Sequence, residues 1–325
     1  MVVKKIAIRE LVEFILRRGS IDEGKNSNHT PQEGARIHRQ LQKEAGEGYQ
    51  KEVWLKKPLE IAETAVQIEG RADGIYLEDD KIIIDEIKTS ETPFEELETG
   101  VIDLYFYQAM VYAYIYSEQE ELTEIGTRLT YFQTTEEKIT RQLRTFSFEE
   151  LTDFFNDLIE RYENWLVFQM KWRETRNNSL KSLAFPFDTY RAGQRELAAA
   201  VYKTIHAQQK LYVEAPTGTG KTMSTLFPTF KAMGEELGER IFYLTAKTIT
   251  RQVAEETVTK ITKKDARVKS VTLTAKDKIC FLTERNCTPE HCPFAKGYYD
   301  RVNDGLWDML NLSLIHISEP TRRSY

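Results

Sequence analysis

Residues 214–222 read EAPTGTGKT and follow the apolar run LYV. Glycines at 218 and 220 permit a tight loop whose backbone N–H groups can wrap a phosphate, with the N-terminus of a following helix aimed at the anion. In such a loop Lys221 pairs with the β- and γ-phosphates of a nucleotide and Thr222 holds Mg²⁺, while Thr217, Gly218, Thr219 and Gly220 form the cradle. A Gly/Thr turn running into a helix is the plain alternative. A second set of chemical groups lies upstream. In KIIIDEIKT, residues 81–89, strand alternation places Ile82, Ile84, Glu86 and Lys88 on one face and Ile83, Asp85 and Ile87 on the other. GRADG, residues 70–74, adds Asp73 in a short polar break. Two converging carboxylates suit a hard divalent cation, Mg²⁺ or Mn²⁺, and a neighbouring lysine could orient water or offset developing negative charge. The same residues also fit a solvated aspartate and a surface Glu–Lys pair. Asp85 should point away from this site unless a bulge reverses it. The third set is CFLTERNCTPEHC, residues 280–292, which holds all three cysteines of the chain.

The elements that must position these groups are legible as two regions. From Lys4 to Trp172 the pattern is that of one α/β unit. It has a periodic helix over Pro31–Ala45, strands in VQIEGRADGIYL and KIIIDEIKT, an aromatic helix in LYFYQAMVYAYIY, and two further strands in GTRLTYFQTT and KITRQLRTFSF. A long helix follows. Ser147 and Glu150 stand at capping-box spacing at its start, and Leu151, Phe154, Phe155 and Leu158 recur on one face. RETRNNSLKS is polar and aperiodic and predicts a linker over 173–184. Beyond it, a helix begins in AFPFDTYRAGQREL, and KLYVEAPTGTGKT and RIFYLTAKT predict strands alternating with helices, the rhythm of a parallel nucleotide-binding sheet. The 325 residues suffice for about two domains. The net charge of −6, from 45 basic and 51 acidic residues, confines any nucleic-acid surface to a local patch. No run is long and apolar enough for a membrane helix and the start lacks a signal-peptide pattern, so no membrane partner and a cytoplasmic location are expected.

GARIH, GRADG, DEIKT and QAMVY, in this order, resemble the motif series of RecB-type nucleases of the PD-(D/E)XK superfamily. The resemblance implies that Asp73 and Glu86 are metal ligands, His38 a further ligand, Lys88 the catalytic lysine, and Gln108 and Tyr112 the accompanying Gln-x-x-x-Tyr pair on one helix face. Taken singly, His38 reads as a surface or packing histidine and Tyr112 as core. In the second region Ala215 stands where the strict phosphate-loop pattern has glycine, as in superfamily 2 helicases. YRAGQREL resembles the Q-motif region, in which Gln194 would read adenine, and YLTAKT resembles motif Ia. Together with the cysteines, these resemble the DinG/XPD family of DNA helicases from about Phe185 to Asp308. That family carries a [4Fe–4S] domain, and the resemblance implies Cys280, Cys287 and Cys292 as three of its four ligands. A zinc site of these thiols with His291 is the competing arrangement.

The expected fold is therefore α/β: a PD-(D/E)XK nuclease-like domain over 1–172, then the first part of a RecA-like P-loop helicase domain over 185–311, with the start of an Fe–S insertion at about 277–311. LSLIHISEPTRR, within 312–325, looks like a translated sequencing adapter, and we expect a truncated reading frame in which the fourth cysteine, the Walker B carboxylates and the second motor domain are missing. Such a fragment would not unwind DNA alone. The implied activity is that of an ATP-dependent DNA helicase with a metal-dependent nuclease, using ATP and Mg²⁺ or Mn²⁺ on single-stranded or branched DNA in repair or recombination. The alternatives are a stand-alone RecB-type exonuclease and a non-catalytic clamp that binds DNA.

Overall fold

The computed structural model describes residues 3–22, 30–216, 218–246, 248–263 and 266–311. Thr217 and the tail 312–325 lie outside the described residues. The chain divides into two compact units. The first joins the described residues up to Val167 to Lys276–Asp308, and the second comprises Phe168–Ala275 and the described residues from Met309.

In the first unit β1 (Lys4–Ala7) runs into α1 (Ile8–Leu16), and α2 (Pro31–Glu44) precedes β2 (Gln50–Ile61), β3 (Thr64–Glu78) and β4 (Lys81–Ser90). α3 (Thr99–Gln119), β5 (Glu124–Gln133), β6 (Lys138–Ser147) and the part of α4 (Phe148–Lys181) up to Val167 complete it. The two ends of α2 and α4 that need caps have them. Thr30 and Glu33 exchange side-chain and backbone bonds at α2, with proline in the first turn, and Ser147 and Glu150 do the same at α4. β2–β3 and β3–β4 are antiparallel hairpins. β4 and β5 are parallel, so the chain must cross over between them, and α3 is that crossover.

The isoleucine run of β4 is buried on both faces because both are covered. Ile82 and Ile84 pack with residues of α1, α3 and α4, whereas Ile87 packs with Ile37 and Leu41 of α2. One edge of β3 is shared. β1 pairs in parallel with Val66–Glu69 and β4 pairs with Gly74–Glu78, which leaves Gly70–Asp73 at a fork between them. The GRADG sequence thus sits where the sheet opens. A Cβ on Gly74 would overlap the Tyr49 ring, whose hydroxyl donates to Asp85 Oδ2 at 2.9 Å. Gly74→Ala should therefore cost about 1–3 kcal/mol by overpacking, read as a lower urea midpoint at unchanged slope.

Two expectations for the second region need correction. Residues 173–181 are not linker but the last turns of α4. Arg173 there pairs with Glu236 and Glu239, Arg176 donates to Glu239 O, and Asn177 is buried. Leu180, and beyond the helix end Leu183 and Phe185, join a core with Met223, Leu226 and Phe230. Secondly, among the described residues the second unit contains helices α5 (Gln194–His206), α6 (Lys221–Gly234) and α7 (Thr248–Thr262) but no paired strand. The apolar runs at 211–213 and 242–244 have no regular secondary structure and are exposed, with Tyr212 and Leu244 each at 89%. Strand-forming residues make a sheet only when a neighbour takes up their backbone groups, and here none does.

The segment from Lys276 also differs from expectation, since it is seated in the first unit. It comprises α8 (Lys276–Ile279), the cysteine loop and α9 (Tyr298–Asn311). Tyr299 N donates to Gly19 O at 2.9 Å and Ile21 N to Ala295 O at 3.0 Å. The Trp165 and Trp307 rings meet edge to face at 5.0 Å.

Candidate functional site

At the fork of the first unit, β4 supplies Glu86 and Lys88, β3 supplies Asp73, α3 supplies Gln108 and Tyr112, and α2 supplies His38. Glu86 is 2% exposed. Its Oε1 accepts from Lys88 Nζ at 2.5 Å, and the same ammonium donates to Gln108 Oε1 at 3.2 Å. Asp73 Oδ2 accepts from Ile87 N at 2.8 Å, and Asp73 Oδ1 lies 3.6 Å from His38 Nδ1. The aspartate carboxylate therefore stands in for the strand partner that β4 lacks beyond the fork. The Tyr112 hydroxyl lies over Gly70, where a Cβ would come within 2.8 Å of it, and burial pushes that phenol up. All six residues expected from the sequence meet here.

Glu86 carries the chemical signature of the site. Burial pushes its pKa up to about 7, against the pull of Lys88 and with added repulsion from Asp73. Its second oxygen, Oε2, is buried with no hydrogen-bond partner. An orphaned buried carboxylate oxygen is costly, and a cation is the group that would satisfy it. Among the described residues no three His, Cys, Asp or Glu side chains are arranged to hold a metal. Mg²⁺, however, commonly takes one or two carboxylates and completes its shell with water and substrate phosphate, so Asp73 and Glu86 fit such an ion. A proton also quiets Glu86. Because its folded pKa lies above the value of 4.5 expected for an exposed glutamate, the native state binds the extra proton, and stability falls as pH rises from that value through about 7. In metal-free buffer Glu86→Gln should raise the melting temperature by roughly 5 °C at pH 8 and lose that advantage by pH 5.

Asp85 faces away, as alternation requires. It is 2% exposed and fully satisfied by Arg128 Nε and Nη2 at 3.1 and 2.8 Å, Thr130 Oγ1 at 2.7 Å and Tyr49. These three donors lie 36 to 45 positions from Asp85 in the chain, and no local pattern announces them.

In the second unit the phosphate loop runs into α6. Gly218 and Gly220 have φ of +87° and +76°, which fits alternating N–H groups turned to one side. Gly220 is the N-cap of α6 and offers no side chain to its first amides. Lys221 Nζ donates to Ala215 O at 2.8 Å and Pro216 O at 2.7 Å, and Thr219 Oγ1 donates to Pro216 O at 3.0 Å. Thr222 Oγ1 lies 3.5 Å from the Tyr243 hydroxyl. Gln194 is buried, with its Oε1 accepting from Arg191 N at 2.9 Å and its amide nitrogen against Gly220. Arg191, which sequence reasoning missed, donates to Gly218 O at 2.7 Å. It lies in YRAGQREL, three residues before Gln194, so its motif was visible although its role was not.

Residues 194–293 match the DEAD/DEAH box helicase family. The match supports a helicase superfamily for this segment, with ATP-dependent hydrolase chemistry, use of ATP and Mg²⁺, and nucleic acid as partner. No curated protein matches the chain. Among solved structures, one titled "Crystal structure of SSO0001" is 17% identical over 49% of this chain and 77% of its own, with a TM-score of 0.33, and so loose a superposition carries no argument. No helix among the described residues is long and apolar enough to cross a membrane.

The helicase segment extends into the cysteine loop. Cys292 is buried, Cys280 and Cys287 are half-buried, and Phe281 and Phe294 meet at 5.1 Å. His291 Nδ1 is engaged by Thr288 Oγ1 at 2.9 Å. Among the described residues these thiols do not form a metal-holding group, and three thiols are one short of a four-cysteine cluster. The residues present do not fit an iron–sulfur cluster, and none enters the chemistry below.

Proposed function

We propose that the chain belongs to an ATP-dependent DNA helicase of the DinG/XPD type, carrying a RecB-like, metal-dependent nuclease head that acts on single-stranded or branched DNA in repair or recombination in the cytoplasm. The single observation behind the nuclease reading is the buried Glu86 carboxylate, with Lys88 on one oxygen and nothing on the other. Bound Mg²⁺ or Mn²⁺ supplies a Lewis acid for the phosphodiester and a more acidic water. Asp73 and Glu86 would hold it, and His38 would orient Asp73. Gln108 fixes the Lys88 ammonium, which is placed to orient the attacking water or to receive charge on the phosphate. Tyr112 braces Gln108. In the helicase segment, Lys221 and Thr222 would engage the triphosphate and its Mg²⁺, and Gln194 with Arg191 would support the loop and the adenine.

A non-catalytic, DNA-binding clamp is favoured by one observation, the lack of a three-donor metal cluster among the described residues. The two readings separate in one assay. The full chain should release nucleotides from single-stranded DNA with Mn²⁺ and not with EDTA; complete inertness across Mn²⁺, Mg²⁺ and both DNA forms would leave the clamp.

A further inference from the structure

Trp54 is the exposed one of the chain's four tryptophans, at 58%, the others being half-buried. It lies on β2 directly opposite Arg71 of β3. Its neighbours Val53 and Leu55 belong to the core, so alternation sends Trp54 to the opposite sheet face. That is the face of Asp85 and Ile87, on which Ile37 and Leu41 of α2 cover Ile87 and from which His38 reaches Asp73 at the fork, while Glu86 and Lys88 stand on the other face. Arg71 precedes Asp73 by two positions on the same strand. With one strand spacing and two residues of rise, the Cα of Trp54 stands about 8 Å from that of Asp73, a span of about one or two nucleotides. The Arg71 side chain is exposed and paired with Glu52, and Lys51 and Lys56 flank Trp54 on β2.

A large exposed indole contributes nothing to the core. Beside a site directed at phosphodiesters, and in a chain whose helicase segment takes nucleic acid as partner, it has the chemistry of a stacking surface for an unpaired base, with nearby cations for the adjoining phosphates. We propose that Trp54 is a base-stacking platform that seats single-stranded nucleic acid beside Asp73 at the fork of the sheet, an inference that rests on the nuclease reading for its geometry. Bases buried inside a duplex cannot use it. The platform thus selects single strands.

The test uses the full chain without ATP, with Ca²⁺ in place of Mn²⁺ so that binding is read without turnover. The probes are an end-labelled oligothymidylate and an abasic strand of the same length. Trp54→Ala should weaken oligothymidylate binding by about 5- to 100-fold, Trp54→Phe should restore most of it, and the abasic strand should bind both proteins alike. Tryptophan emission of the wild type should be quenched by oligothymidylate, and that quenching should vanish in Trp54→Phe although the strand still binds. Equal binding of oligothymidylate by wild type and Trp54→Ala overturns the platform, whatever the nuclease does. Weakened binding by Trp54→Ala in a protein that cleaves nothing with Mn²⁺ supports the platform and removes the nuclease reading instead.

Discussion

Lys88→Ala is expected to lower Mn²⁺-dependent cleavage of single-stranded DNA by about 100- to 1000-fold, the size of losing one preorganised donor to developing charge. The ammonium is held from two sides, by Glu86 Oε1 at 2.5 Å and Gln108 Oε1 at 3.2 Å, so it is aimed before substrate arrives. Removing it also strips the largest influence opposing the upward shift of Glu86. The activity that remains in the variant should then rise at higher pH than in the wild type, because Glu86 ionises later. This second readout separates a chemical role from simple loss of fold. Gln108→Ala should show the same displacement of the pH profile in weaker form, since it frees one end of the lysine. Wild type and Lys88→Ala that are equally slow, with superimposable pH profiles, would exclude a catalytic lysine.

Lys221→Ala is expected to weaken nucleotide binding by about 100-fold, equivalent to about 2.7 kcal/mol and within the range for a hydrogen-bonded charge. In the structure Lys221 Nζ rests on the carbonyls of Ala215 and Pro216, at the mouth of a loop whose glycines face positive φ. A triphosphate offers anionic oxygens in place of those neutral carbonyls, so the exchange gains charge-assisted bonds. Titration of a fluorescent ATP analogue in Mg²⁺ reads the effect. Gly220→Ala should be at least as damaging, because the new methyl meets Gln194 while the backbone is held at φ +76°. Undiminished nucleotide affinity in both variants would mean that the loop does not bind phosphate.

Much of the first unit was legible because its signals are local. Alternation in KIIIDEIKT placed Glu86 and Lys88 together and Asp85 opposite; Ser147 and Glu150 announced the start of α4. The fork that brings Asp73 to Ile87 N was not legible, since it arises from β1 and β4 sharing one edge of β3, a non-local pairing. Nor were Tyr49, Arg128 and Thr130 around Asp85, which come from the residue before β2 and from β5, both distant in the chain. The polar run RETRNNSLKS misled because a polar stretch of helix and a linker have similar composition; Leu180 and Leu183, fully and nearly buried, were its overlooked signal. In LYV and IFYL the residue types favour strands, but propensity alone does not make one without a partner.

The central claim is that the Glu86 carboxylate, buried and half unsatisfied, is a divalent-cation ligand. The direct measurement is calorimetric titration of Mn²⁺ into the full chain at pH 8, without DNA or nucleotide, beside Glu86→Ala. One site in the wild type that is lost in the variant is the predicted result. Identical Mn²⁺ isotherms for the two proteins would contradict it.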